Sequence, residues 1–301
     1  MYSFRLIAIT HIILFALINY SITLEIPDEY DIRLHYNCQS FYDIRDQMRC
    51  GGCWAFAVAE VISDRYCINS NGRDQLLFSE MELLTCCKTL EDDPIKAGCS
   101  GGYPKDAFQY WVNNGLPIKS CKEFLFTKNE FPENNTNKLK CLNTCSNKGL
   151  NLFRYKGSFV KRIIGGEEEI KKEIYTNGPV TASFDYYEDF GRYWYKLIFE
   201  PNKIYQHSDE EITSSHAVKI IGWGMDPISK IKYWLCVNSW GKNDYLSGVF
   251  RFIRGINDCG IESDIYAGYV DKILYSINDN DLIYVLSDTF ISFKNLNQDF
   301  K

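Results

Sequence analysis

Two different hydrophobic rhythms follow one another along this chain, and their order restricts the folds open to it. Behind Cys53, the apolar residues Trp54, Ala57, Val58, Val61 and Ile62 recur at helical spacing and predict a buried amphipathic helix running to Tyr66. Ser79-Glu80-Met81-Glu82 reads as a capping box ahead of Leu83 and Leu84, and Pro104 fits the first turn of a helix over 104–112, with Gly115 just past its end. Later the pattern turns to strands, over 180–184, 216–221, 233–237 and 249–253. One helix interrupts them, from Glu167 to Tyr175, stopped by Gly178-Pro179. A helical half followed by a β half predicts an α+β protein of two subdomains with a cleft between them. No internal repeat is visible.

The first 23 residues stand outside this pattern. Met1 to Arg5 carries one positive charge, Leu6 to Ile18 is almost unbroken apolar sequence, and Ser21 and Thr23 are small residues at cleavage-site spacing. That predicts a secretory signal peptide, too short to span a membrane. Nothing later reaches the roughly 18 apolar residues a span requires, so no span is expected after signal removal. Twelve cysteines in a secreted chain imply a disulfide framework formed in an oxidising compartment. The net charge is −6 with no basic patch, which argues against nucleic acid as a partner.

Cys50-Gly51-Gly52-Cys53-Trp54 places a thiol at the first turn of the predicted helix. Unpaired N–H groups there stabilise a thiolate, the form that attacks carbonyl carbon. A redox dithiol or half of a zinc site are the competing readings of Cys-x-x-Cys. The residues before it, Asp43 to Arg49, are polar where a redox site would follow an apolar strand, and no second Cys-x-x-Cys or His pair lies at zinc spacing. No metal or cofactor is expected. The stretch differs by one residue from C-G-[SA]-C-[WY] and resembles the nucleophile motif of papain-family cysteine peptidases.

Such a nucleophile needs a base, and the chain has four histidines. His11 lies in the signal segment, His35 in irregular sequence and His207 in a polar stretch. His216 opens a strand within Ser214-Ser215-His216-Ala217 to Gly222-Trp223-Gly224, which looks like the family's histidine motif. Asn238-Ser239-Trp240-Gly241 resembles the motif whose asparagine orients the imidazole and whose tryptophan, here Trp240, shields it. By the same resemblance Gln47 and the Cys53 N–H would hold the oxyanion. His216 lies 163 residues after Cys53, beyond the roughly 130–150 of papain-like enzymes. The surplus implies an insertion, as in the cathepsin B branch, which Glu60 to Arg65, Leu83 to Cys87, Gly101 to Pro104 and Cys259 to Ser263 also resemble.

The resemblance implies a papain-like fold over 24–269, with a helical N-terminal half and a β-barrel-like C-terminal half. It implies polypeptide substrates, cystatin-like inhibitors, a monomer, and a secreted or lysosome-like setting. Gly101 and Gly102 would pair with extended substrate. Tyr103, Pro104 and Ala217 would wall the pocket for the residue two before the scissile bond, with Asp264 in place of the glutamate at its base. A shorter carboxylate implies a weaker preference for basic residues. The implied disulfides are Cys38–Cys67, Cys50–Cys99, Cys86–Cys141 and Cys121–Cys145, leaving Cys87, Cys236 and Cys259 without evident partners.

Several features depart from the family. No inhibitory pro-segment separates the signal from Ile26, Met48-Arg49 replaces a small pair ahead of Cys50, Asp244-Tyr245 replaces a second Trp-Gly, and 270–301 is an extension with strand-like Leu282 to Leu286. These keep a second expectation open, a secreted, catalytically impaired homologue that binds peptides or inhibitors. Intact Cys53, His216, Asn238 and Gln47 argue for the active enzyme. Ile118 to Cys145 holds no histidine to grip a substrate carboxylate, which predicts an endopeptidase. Its lysines 119, 122, 128, 138 and 140 read as a solvated loop, and Asn134-Asn135-Thr136 as a glycosylation sequon.

Overall fold

A computed structural model describes residues 24–88, 98–132, 136–208, 211–242, 246–270, 272–274 and 283–285. The expected signal segment, the sequon residues Asn134 and Asn135, Asp244-Tyr245 and most of the tail lie outside the described residues.

Three helices come first: α1 (Cys53–Asn69), α2 (Glu80–Cys86) and α3 (Pro104–Asn114). They bury Trp54, Phe56, Phe78, Phe108 and Trp111 in one hydrophobic core. Pro104 opens α3, and Gly115 closes it at φ +76°, a backbone shape that glycine adopts without strain. Only half of the expected capping box forms. Ser79 Oγ accepts from the Glu82 N–H at 3.1 Å, whereas the Ser79 N–H donates to the Pro117 carbonyl at 3.0 Å. The Glu82 carboxylate is taken instead by Lys122, Arg154 and the Tyr110 hydroxyl.

The later chain builds a sheet from β2 (Phe159–Ile163), β3 (Val180–Tyr187), β4 (Ile204–Tyr205), β5 (Ile212–Met225), β6 (Lys232–Val237), β7 (Val249–Ile253) and β8 (Asp264–Tyr269). Their order is β2-β8-β3-β5-β6-β7-β4, and β1 (Tyr30–Asp31) also pairs with β5. A second core, containing Phe184, Phe190, Trp223, Trp234, Phe250 and Phe252, lies against this sheet. In the tail, β9 (Lys272–Leu274) pairs with β10 (Ile283–Val285), within the stretch whose sequence reads as a strand.

Two helices interrupt the strands where the sequence predicts one. Besides α4 (Gly166–Asn177), residues Glu188–Lys196 form α5. Its aromatic density and Gly191 mask it as strand or turn, yet Phe190, Tyr193, Trp194 and Leu197 are buried at i, i+3, i+4 and i+7.

Helix α1 also departs from its predicted amphipathic form. Every residue from Trp54 to Cys67 is buried, Glu60, Ser63, Asp64 and Arg65 included. Ser63 is satisfied within the first core by the Ala59 carbonyl and the Phe78 N–H, and the charged ones are tolerated because they meet partners across the junction between the two cores. Arg65 Nη2 meets Glu173 Oε1 at 2.9 Å, and Lys219 Nζ on β5 meets Asp64 Oδ2 at 2.7 Å and Glu60 Oε2 at 3.5 Å. All four disulfides are those the resemblance implies, and Cys53, Cys87, Cys236 and Cys259 carry free thiols.

Candidate active site

Cys53 is the first residue of α1, behind Gly52 at the N-cap. Its position is fixed by the Cys50–Cys99 disulfide and by the Gly51 N–H, which donates to the Cys99 carbonyl at 2.9 Å. Burial holds the thiol above its ordinary range, against smaller downward pulls from the backbone N–H groups of Ala217, Trp54 and Cys53 itself.

His216 sits on β5 opposite Phe184, with 5 % of its surface exposed. Burial lowers its pKa to about 4, against a smaller upward pull from Asn238. Asn238, at the end of β6, places Oδ1 2.9 Å from His216 Nε2. That same oxygen accepts the Ser239 N–H at 2.9 Å, which identifies it as the acceptor end of the amide. His216 therefore carries its proton on Nε2, and Nδ1 keeps the lone pair. The Trp240 ring lies over the imidazole at 5.1 Å, backed by Phe190 and Trp194. His35 and His207 stack on Tyr30 and Tyr187, away from this group.

Gln47 is buried in the loop before Cys50. Its Oε1 accepts from Ser239 Oγ at 2.5 Å, and its Nε2 donates one hydrogen to the Cys50 carbonyl at 2.8 Å. The second amide hydrogen has no described acceptor. Met48, where the family has a small residue, adopts φ +53°, and its N–H donates to Asp46 Oδ1 at 2.8 Å. The loop makes a left-handed turn with a side chain on it. Arg49 anchors its outer side through the Lys128 carbonyl at 2.9 Å and the Phe131 ring at 4.5 Å.

A cleft of about 360 Å³ brings Cys53 and His216 together with Gly102, Tyr103, Pro104, Ala217 and Asp264. Gly102 is required there because a Cβ would come within 2.5 Å of the Trp54 ring. Gly101 neighbours the cleft at φ +120° with open space on its Cβ side. Asn238, Trp240 and Gln47 are not among the residues that line the cleft. Ser183, Asp185, Ser215, Cys259, Gly260 and Ser263 also line it and were not legible as site residues. The alternation along β3 marks Ser183 and Asp185 as sharing a face, but not which face.

Three of the five loop lysines are less solvated than their sequence suggests, while Lys128 and Lys140 are exposed. Lys122 is buried on Glu82, Lys119 holds Asp43 at 3.1 Å, and Lys138 holds Glu130 at 2.5 Å. Glu82 is the buried acid among these partners, and it draws Lys122 in because an unpaired buried carboxylate is costly; Asp43 and Glu130 are partly exposed.

Residues 26–269 match the papain family of cysteine proteases, and the chain belongs to that family. It is a cysteine peptidase whose relatives lie in the cathepsin B-like branch. It is 35% identical over 275 residues to a cathepsin B-like cysteine proteinase of Schistosoma japonicum, covering 84% of this chain and 75% of that one. Cathepsin B-like cysteine proteinase 5 of Caenorhabditis elegans is 38% identical over 269 residues, covering 82% and 75%. Among solved structures, procathepsin B S9 of Trypanosoma congolense superposes with a TM-score of 0.69 at 32% identity, covering 83% of this chain and 80% of that one.

Proposed function

We propose that the protein is an endopeptidase in which Cys53 is the nucleophile and His216 the base. The observation that carries this is the bond from His216 Nε2–H to Asn238 Oδ1, because it leaves Nδ1 as the proton acceptor in the cleft that holds Cys53. Transfer of the thiol proton to Nδ1 gives a thiolate–imidazolium pair. Sγ attacks the scissile carbonyl carbon, and the oxyanion takes hydrogen bonds from the Cys53 N–H and the remaining Gln47 amide hydrogen. Collapse breaks the C–N bond, and the leaving amine takes the proton from His216. A water then gives its proton to His216 and attacks the thioester, releasing the acid and restoring the thiol.

Internal cleavage is favoured because no residue of the 118–145 segment lines the cleft among the described residues, and three of its lysines are already engaged. The physiological setting we infer is the secretory route, ending in a lysosome-like compartment or outside the cell. There the protein acts as a monomer, open to cystatin-like inhibitors.

Alkylation with iodoacetamide at pH 5–6 tests the pair. Stoichiometric modification of Cys53, lost in Cys53→Ala and accompanied by loss of peptide hydrolysis, is expected. A Cys53 that stays unmodified under reducing conditions refutes it. Cleavage of an internally quenched peptide should not depend on a free C-terminal carboxylate; stepwise release of dipeptides would make the enzyme a carboxypeptidase instead.

A further inference from the structure

The pocket that holds Asp264 has a second carboxylate and an orphaned hydroxyl. In the sheet, Ser183 on β3 stands opposite both Asp264 on β8 and Ala217 on β5. Two residues further along β3, on the same face, is Asp185, opposite Ser215. A diagonal pair of this kind has backbones roughly 7–8 Å apart, so the Asp185 and Asp264 side chains flank one common volume. Both line the cleft, as does Ser183. The Ser183 Oγ is buried without a hydrogen-bond partner, which costs stability unless a ligand supplies one.

Apart from His216, the charged side chains lining this cleft are the carboxylates of Asp185 and Asp264. Asp185 and Asp264 make no ion pair with a described cation. Arg162, on neighbouring β2, is turned to the Ser263 carbonyl at 3.0 Å and the Tyr266 ring at 6.0 Å. The Cys259 thiol beside them is pushed up to about 12, mainly by burial and then by surrounding acids that include Asp185.

We infer that Asp185 and the Ser183 hydroxyl join Asp264 as specificity-determining residues, forming a three-acceptor seat for the guanidinium of an arginine two residues before the scissile bond. This rests on the peptidase reading above and changes what the sequence alone implies. Asp264 is short for the reach, and Asp185 supplies the missing carboxylate from the opposite rim. Arginine is favoured over lysine because its planar head offers five donors in a fixed fork, whereas lysine brings three on a compact ammonium.

The test compares two fluorogenic dipeptide amides that share arginine next to the scissile bond and carry either arginine or phenylalanine before it. Asp185→Asn should lower the arginine-to-phenylalanine ratio of kcat/KM about tenfold, as expected for one charge-assisted contact at a partly exposed site. Ser183→Ala should lower it less, and Asp185→Asn with Asp264→Asn should abolish the preference. An unchanged ratio in Asp185→Asn, or an equal fall for both substrates, overturns the seat. Calorimetric binding of the corresponding N-acetyl dipeptide amides to Cys53→Ala protein gives the same comparison without turnover. If the wild type cleaves neither substrate while arginine-selective binding is present and lost in Asp185→Asn, the peptidase reading fails and the seat stands. Binding without arginine selectivity overturns the seat whether or not the enzyme turns over.

Discussion

Glu60 links stability to pH in a direction opposite to most carboxylates. It lies at the centre of α1, wholly buried, 3.5 Å from Lys219, and its Oε1 has no partner. Burial raises its pKa from 4.5 to about 7, outweighing the downward pulls of Lys219 and Arg45. The folded protein therefore binds a proton that the unfolded chain releases between those two values. The stabilisation from that proton is complete below pH 4.5, fades as pH rises and is gone above pH 7. At about 1.36 kcal/mol per unit, the loss across the window is on the order of 3 kcal/mol. For a domain of this size each kcal/mol moves Tm by about 2–4 °C, so the effect is roughly 6–12 °C.

Glu60→Gln keeps the shape and removes the titration. The assay is Tm by differential scanning fluorimetry from pH 4 to pH 8, wild type against variant. The two should nearly coincide at pH 4, and the variant should become progressively more stable toward pH 8. The comparison cancels every other titrating group that the two proteins share. A variant less stable by the same amount at all pH values would refute the reasoning, because Glu60 would then be a charged partner that Lys219 needs throughout.

Met48→Gly relieves a left-handed residue, a strain of about 1–2 kcal/mol, against about 0.5–1 kcal/mol of added chain entropy. Tm should rise by a few degrees at unchanged iodoacetamide reactivity, and a fall would show that the Met48 side chain has a packing role. Burial holds His216 down to about 4 beside a Cys53 in its thiol form; Cys53→Ala should keep that midpoint by NMR, and formation of the proposed thiolate should raise it in the intact enzyme. Equal titration in both proteins would mean that no ion pair forms. Asp64→Ala leaves the fully buried Lys219 with Glu60 alone and should cost about 3–5 kcal/mol, read as a fall in urea midpoint.

Helices α3 and α4 were legible because their burial is one-sided and therefore periodic, and the long strands because they are runs of β-branched and aromatic residues. The exceptions have physical causes. Helix α1 is buried on every side, so its polar residues follow their partners on β5 and α4 instead of a solvent face, and periodicity along one segment carries no information about those partners. Helix α5 had the right spacing, but its aromatics are equally at home in strands. The proposed nucleophile, base and orienting asparagine were picked out through local motifs, each written in a few adjacent residues. The second half of the specificity pocket was not, since Ser183 and Asp185 owe their place to the register of β3 against β8, which only the folded sheet defines.

That division follows from how the site is assembled. Cys53, the proposed nucleophile, rides on a helix and His216, the proposed base, on a strand of a different core, so their mutual geometry depends on the junction between the two. Buried ion pairs concentrate at that junction: Lys219 lies three residues after His216 and meets α1 at Asp64 and Glu60, while Arg65 reaches Glu173 and the Pro179 carbonyl at 2.7 Å. Apolar contacts of equal area would hold the halves together as well, but they would tolerate sliding. Directional charge pairs fix a register, and a pair with one partner displaced is penalised by a bare buried charge. Glu60 adds an asymmetry, because it is protonated at acidic pH and strains the same junction when it ionises. The register between nucleophile and base should then be firmest at the mildly acidic pH at which a thiolate–imidazolium pair still works.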